Sequence, residues 1–368
     1  MSVLTAMARV FPPPRYLTFP SVGIDVSDAS LKFIKFSFVP GRDQSIRLAL
    51  WGDIPVPPGA VVNGVIQNPD AVITLLKEVK KQCNVDHVRI SLPEERAYIF
   101  ETTVPKDVPL QDIRGHLEFK LEENVPLSAR DAFFDYEIVG ESEEENQMSA
   151  VVTVYGKETI LAYEDVCKKA GLIPLSYEVE AEAIARAVVP RGDEDTFMIM
   201  DLGKTRTGIG IVHKGALMYT STIDIGGDEL SAVMKTQLGE LDEAALTELK
   251  NKHGLVGGYV SDLVRQELLK VIDRIIAEIQ VRIEYWNARE LARGERKVGN
   301  LIISGGAVNL AGLPEYLEEK LQISVTRASV WQNIPVFTRK VPPITKRYAY
   351  GYATAVGLAL ADVTECSI

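Results

Sequence analysis

A chain of 368 residues exceeds one ordinary hydrophobic core and suits two lobes, and its 46% apolar and 25% charged residues are typical of soluble globular proteins. A net charge of -11 and a pI near 5.1 exclude broad, charge-driven binding to nucleic acid or anionic lipid, because both need a basic surface. Cys83, Cys167 and Cys366 lie far apart and the four histidines have no ligand spacing, so neither a disulfide framework nor a metal centre built from protein side chains alone is expected. That usage fits a reducing cytosol, and no apolar run approaches the ~20 residues that span a bilayer.

In chain order, Met1 to Phe11 is mildly apolar but lacks the basic start and long apolar run of a secretory signal. Pro12-Pro13-Pro14 then breaks it, and residues 1–20 read as a flexible leader. Val22 to Val26 and Leu31 to Phe38 predict a hairpin. Pro69 to Gln82 has helical spacing through Val72, Leu75, Leu76 and Val79, and Val88 to Leu92 is a strand ended by Pro93. From Pro93 the texture changes: a strand from Tyr98, a helix from Leu110, strands Phe133 to Val139 and Met148 to Tyr155, and a helix Thr159 to Ala170 stopped by Gly171. These predict a small α+β module, 93–172, inserted into the first lobe, with the acidic loop Gly140 to Gln147 as a solvated hairpin tip.

A helix beginning near Val179 leads to the buried strand Thr196 to Leu202, where a second lobe starts. Residues 201–224 hold three strands with tight turns, among them Lys214-Gly215, and repeat the organisation seen after Gly23. Residues 228–255 are helical and polar, and Asp262 to Glu290 is a long helix burying Val264, Leu268, Ile272, Ile275, Ile279, Ile283 and Trp286. A buried strand Leu301 to Ser304, a helix Pro314 to Leu321 and a small-residue helix Ala353 to Asp362, suited to close packing on another backbone, complete the reading. The expected division is 21–92, 173–195 and 344–362 for the first lobe and 196–343 for the second, with a helical part at 228–258.

Three segments share one chemical logic. Gly23 to Lys32 and Asp201 to Gly208 each place a carboxylate, Asp25 or Asp201, at a strand end before a hairpin turn. Two such turns facing each other across a cleft would hold a polyphosphate through backbone N–H groups while the carboxylates hold Mg²⁺ through water. Ser304 to Leu313 offers Gly305 and Gly306, whose missing Cβ atoms let a ribose and adenine lie against the backbone. Each turn alone is common; the order and separation of the three carry the signal.

Together they resemble the phosphate and adenosine motifs of the actin, Hsp70 and sugar-kinase superfamily. Within it the chain, from about Val22 to Ala361, resembles the type IV pilus assembly family PilM. The resemblance runs through Val179 to Ala187, Ile225-Gly226-Gly227, Glu278 to Trp286 and Ser304-Gly305-Gly306. The inserted module, flanked by Val104-Pro105 and Asn124-Val125-Pro126-Leu127 around its helix, sits where PilM and the division protein FtsA carry an extra subdomain.

The resemblance implies an α/β, two-lobed actin-like (ribonuclease H-like) fold with a small α+β subdomain inserted in the first lobe. It also implies ATP and Mg²⁺ as ligands, with Asp25, Ser27, Ser30, Lys32, Asp201, Gly203, Thr205, Thr207, Gly226, Gly227, Gly305 and Gly306 as nucleotide-site residues. Asp25 and Asp201 would hold Mg²⁺ through water. The implied role is a cytoplasmic scaffold at the inner membrane, without membrane insertion of its own, gripping the N-terminal cytoplasmic peptide of a PilN-like membrane protein. Other pilus inner-membrane and motor proteins are implied partners, and self-association stays open. The peptide groove is expected between the first lobe and the insert, with Phe119, Leu121, Val125, Phe133 and Phe134 as candidate lining.

The chain departs from the family pattern at Ser27, Asp28 and Gly208. Asp28 brings negative charge towards phosphates unless its carboxylate turns away, and Lys204 and Arg206 are cations able to offset it. Turnover needs a group that orients water, for which Glu178, Glu180 and Glu182 are the candidates, with helical spacing pairing Glu178 and Glu182 on one face and turning Glu180 away. No catalytic residue is assigned, and nucleotide binding is expected rather than turnover. Two other readings stay open: a small-molecule kinase of the same superfold, and an FtsA-like filament former. The insert and the lack of an acceptor motif count against the kinase. The short, weakly amphipathic segment Asp362 to Ile368 counts against the filament former.

Overall fold

The structure, a computed structural model, describes residues 20–38, 46–141, 146–256, 262–290, 296–334, 337 and 341–365. Residues 1–19 of the expected leader and 142–145 of the acidic hairpin tip lie outside the described residues. Alternating apolar residues build β1 (Ser21–Val26), β2 (Ser30–Phe38) and β3 (Ile46–Pro55), followed by the two-residue pair β4 (Val61–Val62) and β5 (Val65–Ile66). Helix α1 (Pro69–Cys83) starts where Asn68 Oδ1 accepts the Ala71 N–H at 3.2 Å and ends at Asn84 in the left-handed conformation, burying Val72, Leu75, Leu76 and Val79. β6 (His87–Leu92) follows, then the insert: β7 (Ala97–Pro105), α2 (Leu110–Asn124), β8 (Ala132–Glu141) and β9 (Gln147–Gly156). α3 (Lys157–Ala170), β10 (Ile173–Val179) and α4 (Glu180–Val188) return the chain to the first sheet.

The second lobe holds β11 (Thr196–Leu202), β12 (Thr207–His213), β13 (Ala216–Ile223), α5 (Gly227–Leu238), α6 (Glu243–Lys252) and α7 (Asp262–Glu290). It continues with β14 (Asn300–Ser304), α8 (Leu313–Leu321) and β15 (Ser324–Arg327), and α9 (Ala353–Glu365) closes the described chain. The two main sheets have strand orders β10-β6-β1-β2-β3 and β13-β12-β11-β14-β15. In each, an antiparallel meander is extended by two parallel strands beside its first strand, β6 beside β1 and β14 beside β11. This is the structural repeat expected from sequence, and it sets Asp25 opposite Lys32 and Asp201 opposite Gly208, each in the last two positions of its strand.

The insert is a three-stranded sheet, β7-β9-β8, with α2 on one face. Ile113, Leu117, Leu121, Phe134, Val152 and Val154 form its own small core. Helix α3 belongs by packing to the first sheet, since Tyr163, Val166 and Cys167 join the main core. The long helix α7 buries Val264, Leu268, Ile272, Ile275, Ile279 and Trp286, with Ile283 partly buried against the same core.

Helix α9 lies between α4 and β1 at a backbone separation only glycine permits. A Cβ on Gly357 would sit 1.6 Å from the Ala183 carbonyl oxygen, and one on Gly23 would sit 2.4 Å from that of Ala355. Gly357→Ala is therefore expected to destabilise the chain by about 3 kcal/mol or more, lowering the melting temperature by on the order of 5–10 °C. A calorimetric melt unchanged from wild type would contradict this packing.

Candidate functional site

The carboxyl ends of β1 and β11 converge on one cleft. It is lined by Asp25, Ser27, Ser30, Lys32, Asp201, Gly203, Thr205, Gly305 and Gly306, and by Glu94, Glu95, Glu180, Lys204 and Arg206. The first turn is held by its own side chains: Ser27 Oγ donates to the Ser30 carbonyl at 2.9 Å, the Ser30 N–H donates to Ser27 Oγ at 3.2 Å, and Lys32 Nζ donates to Ser30 Oγ. The second turn closes through the Gly203 N–H and the Arg206 carbonyl at 3.0 Å. At the third, Gly305 has φ +98°, and a Cβ there would meet the Leu202 carbonyl oxygen at 2.4 Å and Asp201 Oδ1 at 2.8 Å, so glycine lets this backbone approach Asp201.

Thr207, Gly226 and Gly227, expected among the nucleotide-site residues, do not line the cleft. They support its second turn from behind. The buried Thr207 hydroxyl donates to the Ile225 carbonyl at 2.6 Å, and the Gly227 N–H donates to the Gly203 carbonyl at 3.0 Å. A Cβ on Gly226 would lie 2.5 Å from the Arg206 nitrogen and the Lys204 oxygen.

The cleft is strongly electronegative. Burial pushes Asp201 up to about 7, with the charge of Asp25 adding to it. Burial likewise raises Asp25, against the pull of Lys32, and holds Glu94 and Glu180 well above the carboxylate range. Glu94 is 3% exposed, and its Oε2 has no hydrogen-bond partner among the described residues. It occupies the space left by Gly208, where a Cβ would be 2.6 Å from that oxygen. Five carboxyls, Asp25, Glu94, Glu95, Glu180 and Asp201, against three cations, Lys32, Lys204 and Arg206, around backbone-donor turns fit a cation carried in with a polyphosphate. Among the described residues no three such side chains are arranged as a metal centre, so the ion would be reached through water and phosphate oxygens.

The Asp28 carboxylate is turned away from the cleft. It accepts the Asn63 and Gly64 N–H groups at 3.1 and 3.2 Å and pairs with Arg206 at 2.7 Å, while Arg206 also pairs with Glu95. Arg206 thus ties the second lobe to two carboxylates of the first. The free space in the cleft is about 160 Å³, small beside the ~300–1,000 Å³ usual for small-molecule sites. Arg206→Ala leaves Asp28 and Glu95 unneutralised, and a loss of about 1–3 kcal/mol in urea unfolding is expected, with faster proteolysis between the lobes. Wild-type stability and digestion rate in this variant would rule the tie out.

Glu178 and Glu182 do share a side, but for a different reason than helical spacing. Glu178 ends strand β10 while α4 begins at Glu180, and both Glu178 and Glu182 reach Arg186, the latter at 3.4 Å. Glu180 is the one facing the cleft. Glu94 and Glu95 escaped the sequence reading. Their signal was a carboxylate just beyond a buried strand, as at Asp25, but Pro93 had marked that point only as a strand end.

A second cavity, of about 560 Å³, lies between the insert and the first lobe. One wall is the insert-sheet face opposite α2, with Phe133, Asp135 and Glu137 from β8 and Val151, Thr153 and Tyr155 from β9. The other wraps β10, whose Leu175 and Tyr177 alternate with Ser176 and Glu178. β10 is an edge strand of its sheet and β8 of the insert, so two open strand edges border the groove. Phe133 lines it as expected, while Phe134 borders it only from the β8 strand and packs its ring into the insert core. Leu121 and Val125 do not, being buried in the insert core, and Phe119 is 83% exposed, because α2 packs on the far side of the insert sheet.

Two lobes of matching sheet topology, with a cleft at the carboxyl ends of their first strands, define an actin-like ATPase fold. The sequence matches the family profile of type IV pilus assembly protein PilM over residues 23–363, and the chain belongs to that family. It is similar to the structure described as a PilM–PilN type IV pilus biogenesis complex, with a TM-score of 0.74 at 20% identity, covering 95% of this chain and 99% of that one. MreB5 of Spiroplasma citri bound to AMPPNP is similar at TM-score 0.56 and 13% identity, over 95% of this chain and 97% of that one. The ethanolamine utilization protein EutJ from Carboxydothermus hydrogenoformans is similar at TM-score 0.50 and 16% identity, over 94% and 93%. Among the described residues no helix is long and apolar enough to cross a membrane.

Proposed function

We propose that this chain is a cytoplasmic, nucleotide-binding scaffold of type IV pilus or related secretion assembly. It grips the N-terminal cytoplasmic peptide of a PilN-like membrane protein and is held at the inner membrane through that partner. The carrying observation is the groove: two open strand edges and an apolar floor beside the insert, in a chain of the PilM family. An extended peptide adds to such an edge by main-chain hydrogen bonds, with its alternate side chains directed to opposite walls.

The cleft is assigned to Mg-ATP. When bound, the nucleotide supplies phosphate oxygens for the turn amides and a divalent cation for the carboxylates. In this assignment Asp25 and Asp201 orient the cation's waters, the turns at Ser27 to Ser30 and Gly203 to Arg206 bind phosphate, and Gly305 and Gly306 give the backbone surface for ribose and base. Lys32, already beside Ser30, offsets charge at the first turn. Thr207, Gly226 and Gly227 act by holding the second turn in place.

Fluorescence anisotropy with a labelled N-terminal peptide of the PilN-like protein encoded nearby tests the reading. Saturable binding with a Kd in the micromolar range or tighter is expected, and a flat titration to millimolar protein would refute it.

A further inference from the structure

The polar end of the groove carries more negative charge than its own cations neutralise. Alternation along β8 directs Asp135 and Glu137 to the same side as Phe133, facing the first lobe, while Phe134 and Tyr136 pack on the insert core. From the opposite wall come Glu178 and Glu182. Glu178 is satisfied: it accepts the Ser176 hydroxyl at 2.7 Å, pairs with Arg186 and lies 4.0 Å from Arg89. Arg186 is committed to Glu178 and to the Gly357 carbonyl at 3.1 Å, and reaches Glu182 at 3.4 Å only with its other nitrogen. Glu137 makes no hydrogen bond or ion pair among the described residues, and the Glu182 side chain keeps 40% of its surface open. Burial holds Glu137 above its ordinary range, and burial with the charge of Glu178 takes Glu182 to about 7. Glu137 therefore has no paired cation of its own, and Glu182 shares with Glu178 the one guanidinium, Arg186, whose charge reaches both.

We propose that Glu137 and Glu182 receive a lysine or arginine side chain of the extended peptide in this groove, making the site selective for a cationic segment. This rests on the groove being the peptide site. Two observations and one general expectation support it beyond the acidic pair. The two carboxylates come from different structural units, β8 and α4, and face each other across a cavity bordered by open strand edges, so a ligand's side chain rather than a neighbouring residue can bridge them. The same cavity is also lined by Leu92, Val151, Tyr155, Ile160 and Leu175, which give an extended occupant apolar contacts beside the charged position. Under the proposed function the occupant would be a cytoplasmic segment of a membrane protein, a class of segment with an excess of lysine and arginine. A basic group there forms a charge-assisted hydrogen bond that a neutral residue cannot, and an acidic one would be repelled.

The test uses the N-terminal cytoplasmic peptide of the PilN-like protein and versions in which each arginine is replaced by citrulline, or each lysine by acetyl-lysine, one at a time. Neutralising one position is expected to weaken binding about tenfold, a change of ~1.4 kcal/mol. The Glu137→Gln/Glu182→Gln double variant should lose a similar factor for the native peptide and nothing for that neutralised one, with Mg-ATP affinity unchanged as the control of folding. Glu137→Gln alone, on the exposed rim, should show part of the same loss if the double variant is unstable. Equal binding of all peptide versions, equal loss for native and neutralised peptides, or tight binding of a peptide with no lysine or arginine overturns the proposal while leaving the groove as the peptide site. Failure of the wild-type chain to bind any version overturns the groove reading itself.

Discussion

Asp201→Asn is expected to weaken Mg-nucleotide binding at least tenfold while making the ligand-free chain more stable at neutral pH. Asp201 is partly buried in the cleft beside Asp25, and burial with the charge of Asp25 takes its carboxyl from 3.8 to about 7. A carboxyl whose folded pKa lies above its unfolded value binds more protons in the folded state between those two values. Stability from this group is therefore present at low pH, falls as pH rises from about 4 towards 7, and is fully lost above that. The cost at pH 8 has a ceiling on the order of 4 kcal/mol, and asparagine removes it. Asp25, Glu94 and Glu180, also raised by burial, add to the same trend. The ligand-free wild type should thus melt higher at pH 5.5 than at pH 8, with a smaller difference in Asp201→Asn, followed by scanning calorimetry across that range. Titration of Mg-ATP into the variant should show at least a tenfold loss in affinity, since in the proposed assignment this carboxylate orients the cation's water. Wild-type affinity in Asp201→Asn would remove this residue from the site.

The second large effect is expected at Thr153. It lies on β9 between Asp135 of β8 and Ile99 of β7, on the sheet face that forms one wall of the groove. Thr153→Trp places an indole in the cavity without touching the insert core, which sits on the opposite face. Peptide affinity should fall at least tenfold while Mg-ATP affinity stays at wild type. Phe119→Ala is the matched control: its ring is exposed on α2, on the far side of the insert sheet, and the substitution should leave peptide binding unchanged. Peptide bound normally by Thr153→Trp and poorly by Phe119→Ala would move the docking surface to α2.

Patterns with a short period were the legible part of this fold. The alternation of β1 and β2, the apolar stripe of α7 and the glycine stops each depend on residues a few positions apart, and the structure places these elements where those patterns end. The strand-end carboxylates Asp25 and Asp201 were legible for the same reason, because a polar residue closing a buried run is a local signal. Residues brought in by non-local pairing were not. Glu94 reaches the cleft only because β6 lies parallel to β1, and Gly208 leaves it room only because β12 folds back on β11. Periodicity shows which side of a helix is apolar but not what covers it, so Leu121 and Val125 were read as groove lining although they face the insert's own sheet. Likewise Thr207, Gly226 and Gly227 carry the composition of a phosphate turn, and only the hydrogen bonds show them bracing the turn from behind. Asp28 looked unfavourable beside a phosphate until its partners, the Asn63 and Gly64 amides and Arg206, were in place.

Calorimetric titration of the full chain with Mg-ATP, run with and without the PilN-like peptide, tests the account most directly. Binding of both ligands, each at its own site and one equivalent per chain, is the predicted result. Nucleotide binding that the peptide competes away, or binding of neither ligand, would contradict a scaffold with a nucleotide cleft and a separate peptide groove.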